Sequence, residues 1–393
     1  MRLALVVPRY GPQVVGGAEA GARMLAEGLA ARGWRVEALT TCARDLTTWE
    51  DVDPPGETVE GGVRVRRWRS VAGRSSDFDR ASEPVFEAPG GLTRDEALAW
   101  VDLQGPVCPQ LVDAAAASDA DIVVFSPYLY YPTVRGVPRL GPRAVLQPAA
   151  HDEAPLRLAV FPEVFEAPGG LVFYTGAERD LVNRSFRVAS RPQVVVGLGV
   201  DPRVRDPVAE PDPLGLEGRP YVCCVGRVHP TKGTTQVAEW FAAYKARHPG
   251  PLALVLVGPV GTPPPAHPDV VVTGPLEEEA KRAVLQGALA LVSPSVMESF
   301  SLVVLEAWAA GVPVVVNGHC APTREHCERS GGGLWFEGYA HFEVILDRLQ
   351  AEPGLRRALA AAGGAYVERY FRWPVVLDRY QAFLARVAAR AAA

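Results

Sequence analysis

The sequence predicts an α/β protein made of two doubly wound parallel-sheet units of similar size. Three features predict it: short apolar strands without polar alternation, helical segments between them, and a proline-rich break near the middle after which the alternation restarts.

Over residues 1–200 the strand-like runs are RLALVVP, RVEALTT, VRVRRW, DIVVFS, RAVLQP, LVFYT and QVVVG. Several lack the in-and-out alternation of a half-exposed sheet, as expected where helices cover both faces. Between the first two, GAEAGARMLAEGLAARG aligns Met24, Leu25 and Leu29 on a helical face and stops at Gly33. Asp201 to Pro220 carries five prolines and several charges, which marks a linker. Beyond it YVCCVG, LALVLVG, DVVVTG, LALVSP and VPVVVNG read as strands, and TTQVAEWFAAYKARH, EEEAKRAVLQGA and SLVVLEAWAAG as helices. The expected division is therefore 1–200, 201–370 and a terminal helix over 371–393. Ligands of such sheets bind beyond the carboxyl ends of the strands, so a cleft between the units is the expected site. The octapeptide VFEAPGGL occurs at 85–92 and again at 164–171, but two copies make no repeat architecture.

Composition narrows the class. With 48% hydrophobic residues in 393, the chain can bury large cores. Residues 1–200 hold 21 basic and 25 acidic residues and the rest 19 and 20, so neither half has the basic excess of a nucleic-acid binder. The apolar run before Pro8 is too short for a signal-peptide core or a membrane span. Six cysteines without paired spacing fit reduced thiols and a cytoplasmic location. Arginine supplies nearly every positive charge. The only lysines are Lys232, Lys245 and Lys281, which draws attention to each.

In VMESFSLVVLEAW, Glu298 and Glu306 bracket an almost apolar run. If both were helical they would stand about 12 Å apart, too far for a glycosidase carboxyl pair, so two separate roles are expected. Glu298 falls at a loop tip after a strand, and the amides of Ser299, Phe300, Ser301 and Leu302 would crown a helix N-terminus able to receive an anion. An acid favoured by the helix dipole explains Glu298 equally well in isolation. VGRVHPTKGTTQ puts Arg227 and Lys232 on a glycine-bounded turn, where they can meet a diphosphate as a fork and a point charge. The turn lacks the P-loop spacing. Gly16 and Gly17 in YGPQVVGGAEAGA allow close backbone approach to a ligand without forming a dinucleotide fingerprint. His151 in LQPAAHDEAPL follows a strand and can donate to a ligand hydroxyl. The two His-Cys dipeptides at 319–320 and 326–327 fit no common zinc spacing. Asp51/Asp53 and Asp119/Asp121 read as solvated turns. Arg64, Arg66, Arg67 and Arg69 suit either a charged edge strand or a surface for a phosphorylated or membrane-bound partner.

The Gly-Gly turn after the first strand, GRVHPTKG opening the second unit, and ESFSLVVLE followed by AWAAGVPVVV together resemble retaining glycosyltransferase family 4 (glycosyl transferases group 1). The resemblance spans most of the chain and is strongest over 220–320. It implies the GT-B fold: a Rossmann-like acceptor-binding domain, a Rossmann-like donor-nucleotide-binding domain, and a terminal helix that crosses back. It implies that Glu298 contacts the transferred sugar, that Glu306 binds the ribose hydroxyls, and that Arg227 and Lys232 hold the diphosphate with the amides after Glu298 and the Gly16–Gly17 loop. His151 matches a family histidine that contacts the donor sugar. The implied chemistry is transfer from a nucleoside-diphosphate sugar to an acceptor hydroxyl with retention, without a bound metal or other cofactor. Ser301 departs from the family, where glycine is common, and leaves the donor preference open.

The expected function is thus a cytoplasmic retaining glycosyltransferase of cell-surface polysaccharide or glycolipid synthesis, with peripheral contact at the inner membrane face left open. A non-catalytic nucleotide-sugar-binding protein shares the fold and pocket. A nicotinamide-dependent oxidoreductase shares the α/β class but needs the Gly-x-Gly-x-x-Gly that is missing here.

Overall fold

The computed structural model describes residues 1–14, 16–208, 214–216 and 218–392. The chain forms two compact units, one of Met1–Leu198 together with the chain from Val376 onward, the other of Gly199–Val375. Residues 209–213 and 217 of the expected linker lie outside the described residues.

The first unit holds an eight-stranded sheet: β1 (Arg2–Val6), β2 (Arg35–Thr41), β3 (Gly56–Glu60), β4 (Val63–Trp68), β5 (Ile122–Phe125), β6 (Ala144–Leu146), β7 (Gly170–Phe173) and β8 (Gln193–Val195). The order is β3-β4-β2-β1-β5-β6-β7-β8, and every pairing is parallel except the β3–β4 hairpin. The short apolar strands β5, β6 and β7 are buried along their whole length, which is why they lack alternation. Phe125, Phe161, Phe165, Phe173 and Tyr128 fill the core on one side. Two glycines of the helix Gly17–Ala31 make close packing possible. A Cβ at Gly21 would stand 2.6 Å from Leu198, and one at Gly28 would stand 2.8 Å from Leu377 of the last helix.

The hairpin changes the reading of the arginine cluster. β3 is the edge strand, and β4 lies inside it. Arg64 pairs with Glu57 at 2.6 Å, Arg66 approaches Glu37 at 3.6 Å, and buried Arg67 holds Glu60 at 2.8 Å and the Tyr10 carbonyl at 2.9 Å. Three of the four cations are therefore engaged within the unit. The aspartates of the 119/121 pair are likewise not simply solvated, because Arg2 holds Asp119 at 2.6 Å and Asp121 at 3.1 Å and so fastens β1 beside β5.

The second unit holds six parallel strands: β9 (Tyr221–Val225), β10 (Ala253–Val257), β11 (Val270–Gly274), β12 (Ala290–Ser293), β13 (Val314–Asn317) and β14 (Gly333–Phe336), ordered β11-β10-β9-β12-β13-β14. Chain order reverses between β9 and β12, the position beyond whose strand carboxyl ends sheets of this kind bind their ligands. Phe241, Phe336 and Phe342 form its aromatic core. Lys245, one of the three lysines, is buried and structural: its Nζ donates to the Leu252 carbonyl at 3.1 Å and lies 3.3 Å from Asp269.

The terminal helix is Trp373–Ala392, and the chain passes from the second unit to the first within it. Phe371 to Val375 remain with the second unit, where the Phe371 carbonyl accepts from Val200 N at 2.8 Å. In the first unit the helix lies against β7. A Cβ at Gly170 would meet Phe383 and Val387 at 2.9 Å, and Tyr380 Oη is 2.9 Å from Gln147 Oε1.

Candidate functional site

The β9 and β12 loops of the second unit supply most of the predicted residues. After β9 the chain turns at Gly226 (φ 141°), runs through Arg227 to a short 3-10 turn over Pro230–Lys232, and enters the helix Thr234–Arg247 through Gly233 in the left-handed region (φ 70°). His229 and Thr234, which the sequence gives no reason to single out, fix this turn. His229 N donates to Thr234 Oγ1 at 2.8 Å, and the His229 ring bonds Thr231 Oγ1 at 2.8 Å. Gly233 is needed twice over, for its φ and because a Cβ would lie 2.7 Å from the Pro294 carbonyl of the β12 loop. That contact sets the two loops side by side and brings Lys232 Nζ to 2.7 Å from Glu298 Oε1. Arg227 is exposed and has no ion-pair partner among the described residues.

The β12 loop is anchored by Asn317 at the end of β13, whose Nδ2 donates to the Pro294 carbonyl at 3.0 Å. The following helix is Leu302–Ala309, so Glu298 is not helical and the 12 Å spacing expected from a continuous helix does not apply. Ser299 and Phe300 precede the helix, and both make contacts within the protein. The Phe300 ring is buried 5.2 Å from His326 and 5.5 Å from Phe371, edge to face. The expected anion site includes the start of this helix. Val304 N already reaches the Ser301 carbonyl at 3.1 Å, whereas Leu302 and Val303 have no acceptor earlier in the helix.

Ser301 adopts φ 66° and ψ 74°. This left-handed conformation costs an L-residue about 1–2 kcal/mol and is natural to glycine. The glycine common in the resembled family thus answers to backbone geometry here, with serine bearing the strain.

Glu306 lies in the second turn of the helix, among buried Val304, Leu305, Ala307 and Trp308. The helix is held from behind by Trp308, whose Nε1 donates to the Gly332 carbonyl at 2.8 Å. A Cβ at Gly363 would sit 2.1 Å from the Trp308 ring, so only glycine lets the helix Pro353–Tyr370 pack there. Burial pushes the Glu306 carboxyl above its ordinary range. Lys281 opposes that shift, while Glu278 and Asp201 reinforce it. Lys281 Nζ stands 3.9 Å from Glu306 Oε2. Two of the chain's three lysines therefore attend the two glutamates singled out in the sequence.

The remaining predicted residues belong to the first unit. Gly16 precedes the helix Gly17–Ala31, and a Cβ on it would meet Glu19 Oε2 at 2.3 Å. Gly17 has open space around it. Beside them, buried Arg9 donates from Nε to Glu19 Oε1 at 3.1 Å and from Nη1 to the Arg44 carbonyl at 2.7 Å, an ion pair that no motif announced. His151 lies 3.6 Å from Glu153, which accepts from Tyr128 Oη at 2.8 Å. The His151 loop is fastened by buried Glu178, whose two oxygens accept from Ala150 N at 2.8 Å and Tyr174 N at 2.7 Å. Burial pushes the Glu178 carboxyl up to about 7 against these amides and the nearby imidazole.

Among the described residues no group of three or more His, Cys, Asp or Glu side chains could hold a metal ion. All six cysteines are free and buried. No helix among the described residues is long and apolar enough to cross a membrane.

Residues 219–342 match the family model described as Glycosyl transferases group 1, a segment that contains Arg227, Lys232, Lys281, Glu298 and Glu306. No curated protein matches the chain in sequence. Among solved structures, sucrose-phosphate synthase from Thermosynechococcus elongatus is similar over 99% of each chain with 19% identity and a TM-score of 0.73. Alpha,alpha-trehalose 6-phosphate synthase from Burkholderia multivorans is similar over 99% of each chain with 16% identity and a TM-score of 0.71. Anabaena HepE, solved in complex with UDP and glucose, is similar over 98% of this chain and 100% of its own, with 15% identity and a TM-score of 0.69. At these identities the likeness establishes the fold, which is GT-B.

Proposed function

We propose that the protein is a retaining, metal-independent glycosyltransferase that moves a sugar from a nucleoside-diphosphate donor to an acceptor hydroxyl. The observation that carries this reading is the Lys232–Glu298 pair at the topological switch point of the second unit, inside the segment that matches the glycosyltransferase model. A cation held beside a carboxylate at this position suits a substrate whose diphosphate is anionic and whose sugar presents hydroxyls to an acceptor group.

In this reading the donor lies on the second unit. Arg227 and Lys232 take the diphosphate, helped by the helix start at Leu302, and Glu306 accepts the two ribose hydroxyls. Glu298 accepts from hydroxyls of the transferred sugar. The bond from the anomeric carbon to the phosphate oxygen breaks as the acceptor oxygen bonds the same face of that carbon. The acceptor proton passes to the departing diphosphate, whose growing charge Lys232 and Arg227 stabilise. His151 and the Gly16–Gly17 turn are the first unit's contribution to donor-sugar binding, and acceptor recognition belongs to that unit's loops. The neighbour solved with UDP makes UDP-sugars the first donors to examine. We assign the reaction to cell-surface polysaccharide or glycolipid synthesis in the cytoplasm, with acceptor class as the open variable. The presence of both Glu298 and Lys232 favours catalysis over a binding-only role.

Thermal unfolding against a panel of nucleoside diphosphates and their sugars, with and without chelator, tests the reading. A ligand at about 100 times its Kd adds roughly 2.7 kcal/mol of stability. A shift with one nucleotide family that survives the chelator supports the proposal, and NMR of the product's anomeric configuration then tests retention. A shift only with nicotinamide nucleotides overturns it.

A further inference from the structure

We propose that Lys281 is a positioning residue that holds the Glu306 carboxylate charged and in place as the acceptor for the ribose hydroxyls of the donor. The inference rests on the ribose role given to Glu306 above and extends it to a residue outside the motif.

An ionised carboxylate is acceptor-only, with both oxygens open to hydroxyl donors, whereas protonation turns one oxygen into a donor and weakens the charge-assisted bonds. The setting of Glu306 works against ionisation, since its side chain is 17% exposed on a helix face of valine, leucine, alanine and tryptophan. The charged groups around it are few. Glu278, on the helix Glu278–Gly287, and Asp201, ahead of the turn Pro202–Arg205, add negative charge, and Asp201 is already held by Arg203 at 2.9 Å. Arg205 lies at the far end, where its Nε donates to the Ala309 carbonyl and its guanidinium pairs with Glu368 of the helix Pro353–Tyr370. Lys281 is the one cation within 4 Å of the Glu306 carboxylate among the described residues.

Its own contacts do not explain its placement. Lys281 also lies 2.8 Å from Glu278, but that carboxylate is 72% exposed, and an exposed pair three residues apart on a helix contributes at most about 0.5 kcal/mol. The first turn of a helix disfavours a cation through the macrodipole, by about 0.3–1 kcal/mol. Of 40 basic residues only three are lysines, and this one is largely buried in an unfavourable helix position beside a buried carboxylate. A cation on a flexible stem here lies beside both Glu278 and Glu306.

Calorimetric titration of the full chain with UDP, ADP and GDP in turn, between pH 5 and 8, tests the proposal. Lys281→Met is expected to weaken binding of the preferred diphosphate about tenfold at pH 7, the effect of losing support for a charge-assisted acceptor. The acid limb of its affinity profile should move to higher pH, because Glu306 then protonates more readily. Lys281→Arg should recover most of the affinity and return the limb toward the wild-type position, and Lys281→Met added to Glu306→Gln should cost little more. Wild-type affinity and an unmoved limb in Lys281→Met overturn the proposal while leaving the donor site intact. Failure of the wild-type chain to bind any of the three diphosphates overturns the functional reading itself.

Discussion

Lys232 Nζ lies 2.7 Å from Glu298 Oε1, joining the two loops that leave the sheet at its switch point. The contact spans 66 residues of sequence and depends on Gly233, which alone among residue types tolerates both the left-handed turn and the nearby Pro294 carbonyl. A cation held ready in this way must be shared with an incoming diphosphate. Lys232→Ala is therefore expected to lower kcat by about 10²–10³, as for other single donors to developing charge. Glu298→Gln should lower turnover yet leave nucleoside-diphosphate affinity equal or higher, because it removes a negative charge beside the phosphates. Steady-state kinetics with product titrations check both. Unchanged turnover in Lys232→Ala would remove this lysine from the mechanism.

Glu306 is assigned a binding role and not a chemical one. Glu306→Ala should raise the donor Kd by about 10- to 100-fold, the range for hydrogen bonds to a charged group, with a smaller loss in the single-turnover rate at saturating donor. Equal donor affinity in the variant would dismiss the assignment.

Ser301 bears a conformation that glycine adopts freely. Ser301→Gly should stabilise the protein by about 0.5–1 kcal/mol, the left-handed cost less the extra chain entropy of glycine. Chemical denaturation measures it directly. Ser301→Val should destabilise, since a β-branched residue fits this region worst. Loss of stability in the glycine variant would mean that the serine hydroxyl contributes more than the backbone strain costs.

The legible parts of the molecule are those where local sequence and tertiary demand agree. All seven strands read over residues 1–200 are present; β5, β6 and β7 are buried along their whole length, whereas β4 alternates buried and more exposed residues. β3 escaped notice because GETVE is almost wholly exposed and takes its stability from pairing with β4, and β14 because GLWF is too brief to show a pattern. The repeated octapeptide shows the limit plainly. Its first copy ends one helix and continues as a 3-10 turn with Phe86 60% exposed, whereas the second ends another helix and continues into β7 with Phe165 fully buried. Identical residues take different fates because their neighbours in space differ. Within the site, Glu298, Glu306 and Lys232 were legible as motif residues. Lys281, Arg9 and Glu178 were not legible as site partners, since each acts through a group that only folding brings near.

Glu178 gives the most direct test of such a hidden partner. Its carboxyl rises from an ordinary 4.5 to about 7 in the folded protein, so the folded state binds the proton more tightly than the unfolded chain. The resulting stability is fully present below about pH 4.5 and is lost as pH rises through 7. At about 1.4 kcal/mol per tenfold change in proton affinity, the loss is of order 3 kcal/mol. Urea unfolding of the wild type should therefore show this component falling between pH 5 and pH 8. Glu178→Gln cannot titrate, and its amide group must leave either Ala150 N or Tyr174 N without an acceptor, which costs about 1–3 kcal/mol. The variant should be less stable than the wild type at pH 5, and the gap should narrow by pH 8. A gap that stays constant across this range would show that Glu178 titrates as an ordinary carboxyl and that the His151 loop is held by its hydrogen bonds alone.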